Sequence, residues 1–449
     1  MRLLCNICFM MLIVTLAGCA SYSERTAGPR ALMHSGRIGM ASHMVNSPLY
    51  GAGTEELNAL GSLELGDRGL INMNAGRPQE ALFYLNLAIK KLEEEETTGY
   101  ISKFFRHTTA FLTGDEELQP YKMPGYEKVV LYSHKAMCYL LLGDVEKAYN
   151  VTRKTISLQQ EEWKKVQNIK YQYNTAMMSN TATGQLARSL MAMVDTIPPA
   201  VVSHINPVPD FIDGLVMDVM ANTEERESAL RYNAQIAYRK AYSASGAATA
   251  LRAFHDVLDE RKSRAAYILI SEGQAPYYAS RGLAHRVAGG SCRLNVAVPV
   301  LPPRPNVTSI SVSTPKNQPV QLLRLCSMQD LFLTHYHEVY KSRQALSWAA
   351  HLLRSNVVSI AGSFAGVQQE ALRLVSATQQ ADTRCLSFLP HGYYAMRLPL
   401  PEGATQLRLR AEAWSGGKSV SLTIPAEGPV VIYGFVNNNN FSASVAQFN

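Results

Sequence analysis

Beyond residue 18 the sequence contains no run of eighteen uninterrupted apolar residues, so no later segment has the make-up of a membrane-spanning helix. It also lacks any dense basic patch with interleaved aromatics, the surface that nucleic acids select. The four cysteines after Cys19, namely Cys138, Cys292, Cys326 and Cys385, show neither the CxxC nor the Cys/His spacing of a zinc site. No HExxH pair occurs, and Gly362-Ser363-Phe364-Ala365-Gly366 carries its serine one position away from the middle of GxSxG. The usual signatures of zinc and serine hydrolases are therefore missing. Nothing points to a metal or cofactor.

A strong address signal is present. Met1-Arg2 gives a positive charge, and Leu3 to Leu16 is apolar except for Asn6 and Thr15, too short to span a bilayer and arranged like a secretory leader. Leu16-Ala17-Gly18-Cys19 follows and closely resembles the bacterial lipoprotein processing box. The resemblance implies that Cys19 is diacylated on sulfur, becomes the first residue after cleavage and is then N-acylated. Three acyl chains, at about 0.8 kcal/mol per buried methylene, would hold the chain permanently. Ala20 stands where an aspartate would retain a lipoprotein at the inner membrane. The expected location is thus the outer membrane, lipid-anchored and facing mainly the periplasm.

With 449 residues, 47% of them hydrophobic, the chain can build two domains with real cores. Lys plus Arg number 43 against 36 acids; losing Arg2 with the leader leaves a net charge of about +6. An oxidising periplasm permits a disulfide, and one bridge among Cys292, Cys326 and Cys385 is compatible with their crowding in the second half, with the pair undecided. Cys138, on an apolar helical stretch, reads as core packing.

Residues 1–18 form the leader and 19–29 read as a flexible tether. Residues 30–264 show helical periodicity. A glycine precedes an alanine by five positions at Gly36 and Ala41, Gly76 and Ala81, and Gly143 and Ala148. Around Gly76, Leu63, Leu65, Leu70, Ile71 and Met73 precede the turn, and Leu82, Leu85, Ala88, Ile89 and Leu92 follow it at three- and four-residue spacing. This predicts helix, tight turn, helix. The glycine supplies the left-handed residue that ends the first helix, Pro78 suits the first turn of the next, and the alanine lies where the helices cross. Tyr132, Ala136, Tyr139 and Leu140 repeat the plan before Gly143. Ala81 and Ala148 are 67 residues apart, close to two periods of about 34, and both units resemble tetratricopeptide repeats. Between them, Pro120 to Glu127 is rich in proline and aromatics, with Tyr121 and Tyr126 as candidates for a binding loop and a packed connector as the alternative. Glu93-Glu94-Glu95-Glu96 reads as a solvated helix end. Leu158 to Met193 predicts one or two further helices, Asn206-Pro207-Val208-Pro209-Asp210 starts another hairpin, and Ala247 to Arg261 closes the region.

From 265 to 449 the grammar is β-rich. Ala266–Ile270, Leu294–Leu301, Thr308–Ser313, Val320–Leu325, Tyr394–Leu398, Leu407–Ala411, Val420–Ile424 and Val430–Val436 read as strands between Gly- and Pro-bearing turns, with a helix inserted over about 342–359. Antiparallel hairpins in a small sandwich-like or barrel-like sheet are expected. The fold class is α+β: tetratricopeptide-like hairpins, then a β-rich, sandwich-like domain.

Leu140-Leu141-Leu142-Gly143-Asp144, the Pro-Gly-Tyr-Glu stretch before it, Asn206-Pro207, Glu272-Gly273-Gln274-Ala275-Pro276, Ala381-Asp382-Thr383-Arg384, Leu389-Pro390 and Leu398-Pro399-Leu400-Pro401-Glu402-Gly403 fall in an order that resembles an uncharacterised bacterial lipoprotein family with tetratricopeptide-like N-terminal halves. The likeness covers about four-fifths of the mature chain. It implies no catalytic residues. Cys385 and Phe388 depart from the aromatic-rich segment expected after the Ala-Asp-Thr-Arg run.

The best candidate for chemistry is His335-Tyr336-His337-Glu338, whose histidines would share one side of a strand and whose glutamate would act as base. A packed or surface histidine pair explains it more simply. Asp382 and Arg384 read as a structural pair. The reading that results is a non-enzymatic scaffold or assembly factor for proteins of the cell envelope, its partner an envelope protein or another lipoprotein. The alternative is an envelope hydrolase or carbohydrate-binding protein with its site in the β half.

Overall fold

The computed structural model describes residues 21–47, 60–97, 121–194, 205–222, 227–258, 264–287, 290–303, 307–315, 318–365, 381–401, 403–413 and 416–448. The first half is helical. In chain order come α1 (Tyr22–Arg25), α2 (Ala27–His34), α3 (Ile38–Asn46), α4 (Ser62–Asn74), α5 (Pro78–Thr97), α6 (Gly125–Leu141), α7 (Val145–Met178), α8 (Ala182–Val194), α9 (Val208–Ala221), α10 (Glu227–Ser245) and α11 (Ala248–Leu258). Consecutive helices pack in series from α3 to α7, then α7 on α9, α9 on α10 and α10 on α11. Among the described residues, no helix is long and apolar enough to cross a membrane.

Three hairpin turns share one closure. Gly36, Gly76 and Gly143 have φ of 83°, 74° and 83°. In each, the N–H of the next residue reaches back five positions: Arg37 to the Leu32 carbonyl, Arg77 to Asn72 and Asp144 to Tyr139, all at 2.9 Å. This left-handed glycine satisfies carbonyls that the helix end would otherwise leave without partners. Ala41, Ala81 and Ala148 are each fully buried where the next helix crosses. Gly69 brings α4 still closer to α5: a Cβ there would lie 2.7 Å from Leu85 Cγ. At Gly143 an added Cβ meets nothing within 4 Å, so Gly143→Ala isolates the cost of the left-handed backbone. A loss of about 1 kcal/mol, read from the urea midpoint at unchanged slope, is expected.

The tether expectation is corrected over residues 22–29, which are helical and docked. Ser21 and Glu24 cap α1 reciprocally, and Tyr22 is buried with its hydroxyl donating to Asp67 Oδ2 at 2.6 Å. Arg30, also buried, donates to the Ser23 carbonyl at 2.6 Å and lies 3.8 Å from the centre of the Tyr277 ring. The glutamate run is likewise more than a solvated face. Glu95 accepts from the Ser62 hydroxyl at 2.6 Å, Glu93 accepts from Tyr132 at 3.0 Å and Lys154 at 2.6 Å, and Glu96 pairs with Lys128. The run thereby ties α5 to α4, α6 and α7.

The second half supplies β1 (Ala265–Glu272), β2 (Tyr277–Val287), β3 (Gly290–Val300), β4 (Val307–Ser313), β5 (Val320–Ser327), then α12 (Met328–His335), a five-residue π-turn (Tyr336–Tyr340), α13 (Lys341–Ala365), β6 (Gly392–Pro399), β7 (Gln406–Ala413), β8 (Lys418–Thr423), β9 (Val430–Val436) and β10 (Phe441–Gln447). Eight strands form one sheet in the order β10-β9-β1-β6-β5-β4-β7-β8, and β2 and β3 pair separately as a hairpin. The pair β1/β9 is parallel, with Ala266 opposite Val430; every other pairing is antiparallel. The two edge strands, β8 and β10, approach each other. Of the sandwich-like and barrel-like alternatives, the eight strands take the form of one curled sheet and not of two stacked ones, with β1 inserted between β6 and β9, strands more than a hundred residues away in sequence. Two strands, β2 and β10, lie outside the apolar runs read from the sequence; Phe441-Ser442-Ala443-Ser444-Val445 has too few large apolar residues to stand out.

β1 is buried along its whole length. Its even residues Ala266, Ile268 and Ile270 join Ile310, Val312, Leu409, Val430 and Ile432 in the core enclosed by the curl. Its odd residues Tyr267 and Leu269, with Val431, Tyr433 and Phe435 of β9, face the helices and belong to the same apolar cluster as Leu70, Leu85, Met137 and Leu215. Burial on both faces explains why β1 reads as a continuous apolar run and not as an alternation. The core extends without interruption across the chain boundary at 264/265.

Candidate docking groove

Cys19 lies outside the described residues. Gly76, Ala81, Gly143 and Ala148 occupy the turns and crossings given above. Tyr121 and Tyr126 do not form an open loop: both hydroxyls turn inward onto Glu127, donating to Oε2 at 2.7 Å and Oε1 at 3.2 Å. The Tyr126 ring packs against Phe332 and His335, with centroids 6.3 and 5.4 Å away. His335 ends α12 and His337 lies in the π-turn, so the strand geometry expected for a metal pair is absent. Lys170 engages Glu338 at 3.0 Å. Among the described residues no three His, Cys, Asp or Glu side chains are grouped to hold a metal ion.

Cys326 and Cys385 are buried free thiols, which removes them from the expected disulfide; the Cys292 side chain lies outside the described residues. Burial pushes the Cys326 thiol up to about 12 and raises Cys385 as well. Cys138 is core packing as expected, its thiol 3.5 Å from Met73 Sδ.

The Ala-Asp-Thr-Arg segment leads into a strap, residues 381–391, that runs almost wholly buried between the helices and the sheet. Arg384 and Arg343 bond Asp382 at 2.8 and 3.2 Å, the structural pairing expected for Asp382 and Arg384. Two buried acids hold the rest. Asp67 Oδ1 accepts the N–H groups of Ser387 at 2.7 Å and Phe388 at 3.3 Å, while Glu127 Oε1 accepts that of Leu386 at 3.3 Å. Burial pushes Asp67 up to about 7 and Glu127 up to about 8, against the opposing pull of these hydrogen bonds.

Folding therefore retains protons that the unfolded chain releases near pH 4. The associated stability is complete at low pH and is lost as pH rises through the folded values. His134, lowered by burial to about 4, acts in the opposite sense mainly below pH 6.5, where the unfolded imidazole is half protonated, and its contribution has faded by about pH 7.5. Unfolding free energy should thus fall by roughly 2 kcal/mol between pH 6.5 and 8, and Glu127→Gln should remove most of that slope. Urea titrations across the window test this; a flat or rising profile would contradict it.

None of these buried groups is open to a ligand. The described surface does carry a large concavity, a groove of about 630 Å³ between α7 and α10 over the start of α9. Ile156, Gln160, Trp163 and Lys164 form the α7 wall, and Ile236, Arg239, Lys240 and Ser243 form the α10 wall, each at the three- and four-residue spacing of one helical face. Ile205 and Asp210 lie at its base. The walls are fixed by a reciprocal pair: Gln159 Nε2 donates to the Asn206 carbonyl at 3.1 Å, and Asn206 N–H donates to Gln159 Oε1 at 3.0 Å. Asn206 Oδ1 then accepts the Val208 N–H at 3.0 Å, holding the start of α9.

Large apolar side chains stay open to solvent here, Trp163 at 44% and Ile236 at 36% exposure. Lys164, Arg239 and Lys240 are exposed and form no salt bridge among the described residues. Asp210 below them is buried, which pushes its carboxyl up to about 6 while Lys240 pulls it down. Each wall of the groove thus presents both apolar and cationic side chains. A smaller cleft of about 30 Å³ beside it shares Gln159 and Trp163 and is lined by Tyr126 and His335; it has room for little more than water.

The sign of this groove in the sequence is a tryptophan, Trp163, within the Gln- and Lys-rich stretch of α7. The opposing wall is contributed some eighty residues later. Comparison of the chain with models of protein families, with curated proteins and with solved structures gives no match.

Proposed function

We propose that the chain is a lipid-anchored interaction scaffold of the bacterial envelope, tethered through Cys19 to the outer membrane and facing the periplasm, where it docks a partner protein. In this reading it binds and positions, and performs no chemistry of its own. The helical hairpins are degenerate tetratricopeptide-like repeats, a reading supported by the common closure at Gly36, Gly76 and Gly143 and by the buried alanine after each. The lipobox supports the tether.

The observation that carries the docking role is the groove, where an indole and an isoleucine remain exposed on two firmly held walls. A concavity lined by apolar groups with a few polar ones around them is the usual form of a binding site. The shared core of the two halves also supports a scaffold, because a partner held on the helices is then held at a set position relative to the β half.

The test is cross-linking in intact cells, purification through a C-terminal tag and identification of what copurifies, with Cys19→Ser run in parallel. One enriched envelope protein, and a shift of Cys19→Ser from the membrane to the soluble fraction, are expected. A chain found in the soluble fraction regardless of Cys19, or one that copurifies with nothing specific, defeats the reading.

A further inference from the structure

We propose that the α7/α10 groove takes a short peptide segment in which two or more carboxylates flank a branched or aromatic side chain. The inference rests on the scaffold reading and specifies its partner's chemistry. Ser243 lies seven positions beyond Ile236 and Lys164 eight beyond Ile156, so at 1.5 Å per helical residue the groove is about 10 to 12 Å long. An extended chain advances about 3.3 Å per residue, so three or four residues fill that length.

The distribution of charge narrows the class of occupant. Lys164 stands on one wall and Arg239 with Lys240 on the other, Asp210 is buried at the base near Lys240, and Ile156, Trp163, Ile205 and Ile236 supply the apolar part of the lining. An anionic amphiphile has its charge at one end and its apolar part at the other, and would leave one wall unanswered. A peptide with acidic residues to either side of an apolar one answers both. Its carboxylates meet cations that form no salt bridge among the described residues, and its apolar side chain covers Trp163.

The mature full-length chain, immobilised through a C-terminal tag, is offered a displayed library of random decapeptides, and the selected sequences are then synthesised with a fluorescent label for affinity measurement. The selected peptides should carry at least two Asp or Glu within four residues of Leu, Ile or Phe. Lys164→Glu/Lys240→Glu should weaken their binding at least tenfold, and Trp163→Ala comparably. These three positions are exposed, so folding should be kept, and an unchanged circular dichroism spectrum and urea midpoint confirm it. Raising salt from 0.05 to 0.5 M should weaken binding to the parent but leave the weak binding of the charge-reversed variant nearly unchanged.

Selection of peptides without acidic enrichment overturns the proposal, as does binding indifferent to the charge reversal. Displacement of the peptides by phosphatidylglycerol vesicles, with no such effect from phosphatidylcholine vesicles, overturns it in favour of a lipid. The in-cell cross-linking separates the two levels. A partner still captured by Lys164→Glu/Lys240→Glu leaves the scaffold standing and removes the groove as its site, whereas acidic peptides bound in vitro with no partner in cells leave the groove chemistry standing and remove the scaffold.

Discussion

Arg397→Met is expected to cost about 3 to 5 kcal/mol of folding stability, the usual loss when one partner of a buried ion pair is removed. Arg397 on β6 donates through Nε to Asp218 Oδ2 on α9 at 2.7 Å, and each side chain is only 3% exposed. The pair joins the helical half to the sheet. Methionine fills much the same volume but leaves a carboxylate buried among Tyr238, Tyr267 and the α9 helix without its counter-charge. The penalty belongs to the stranded acid, not to the worth of the pair. Arg397→Met/Asp218→Leu should therefore recover most of the loss, since apolar replacement of both partners is often neutral or better. Urea unfolding of the parent, both single variants and the double variant completes the cycle. A single-variant loss below about 1 kcal/mol, or a double variant no better than the singles, would show that the pair is solvated in solution.

The second large effect is expected at Asp67. Its carboxyl accepts from Tyr22, Ser387 and Phe388, three donors drawn from the N-terminal helix and the strap. Asp67→Ala leaves all three buried without this acceptor, and at about 1 to 3 kcal/mol for each unsatisfied group the loss should reach about 3 kcal/mol or more. Asp67→Asn keeps an acceptor oxygen for the two strap N–H groups and should cost far less. It also removes an ionisation, so its stability should decline less steeply above pH 6.5. Hydrogen exchange adds a local readout: in Asp67→Ala the amides of residues 386–388 should lose protection ahead of those of β1, which sits in the shared core. Uniform loss of protection would instead assign Asp67 a role in global stability alone.

These sites show how far local signals reach. The hairpins at Gly76 and Gly143 could be read because glycine conformation, the helix-ending hydrogen bonds and the flanking apolar spacing all act within about ten residues. Most strands were legible for the same reason, being short apolar runs between turn residues. Tyr22 was not, because a lone aromatic among small and polar neighbours looks like tether until Asp67, 45 residues on, is seen to accept from it. Tyr121 and Tyr126 suggested a surface loop by composition, yet the adjacent Glu127 draws both hydroxyls inward.

Legible along the chain alone were the Leu16-Ala17-Gly18-Cys19 motif, the division into a helical half and a β-rich half, the hairpin turns and the absence of common catalytic signatures. Each depends on covalent order or on interactions between near neighbours along the chain. The fold adds that the two halves share one core, that β1 lies between β6 and β9, that two buried acids hold the 381–391 strap, and that Trp163 and Ile236 face a common groove. Those features arise from contacts between segments tens to hundreds of residues apart, and which side chains meet there is set by how the helices stack and the sheet curls, for which no local pattern of residues carries a code.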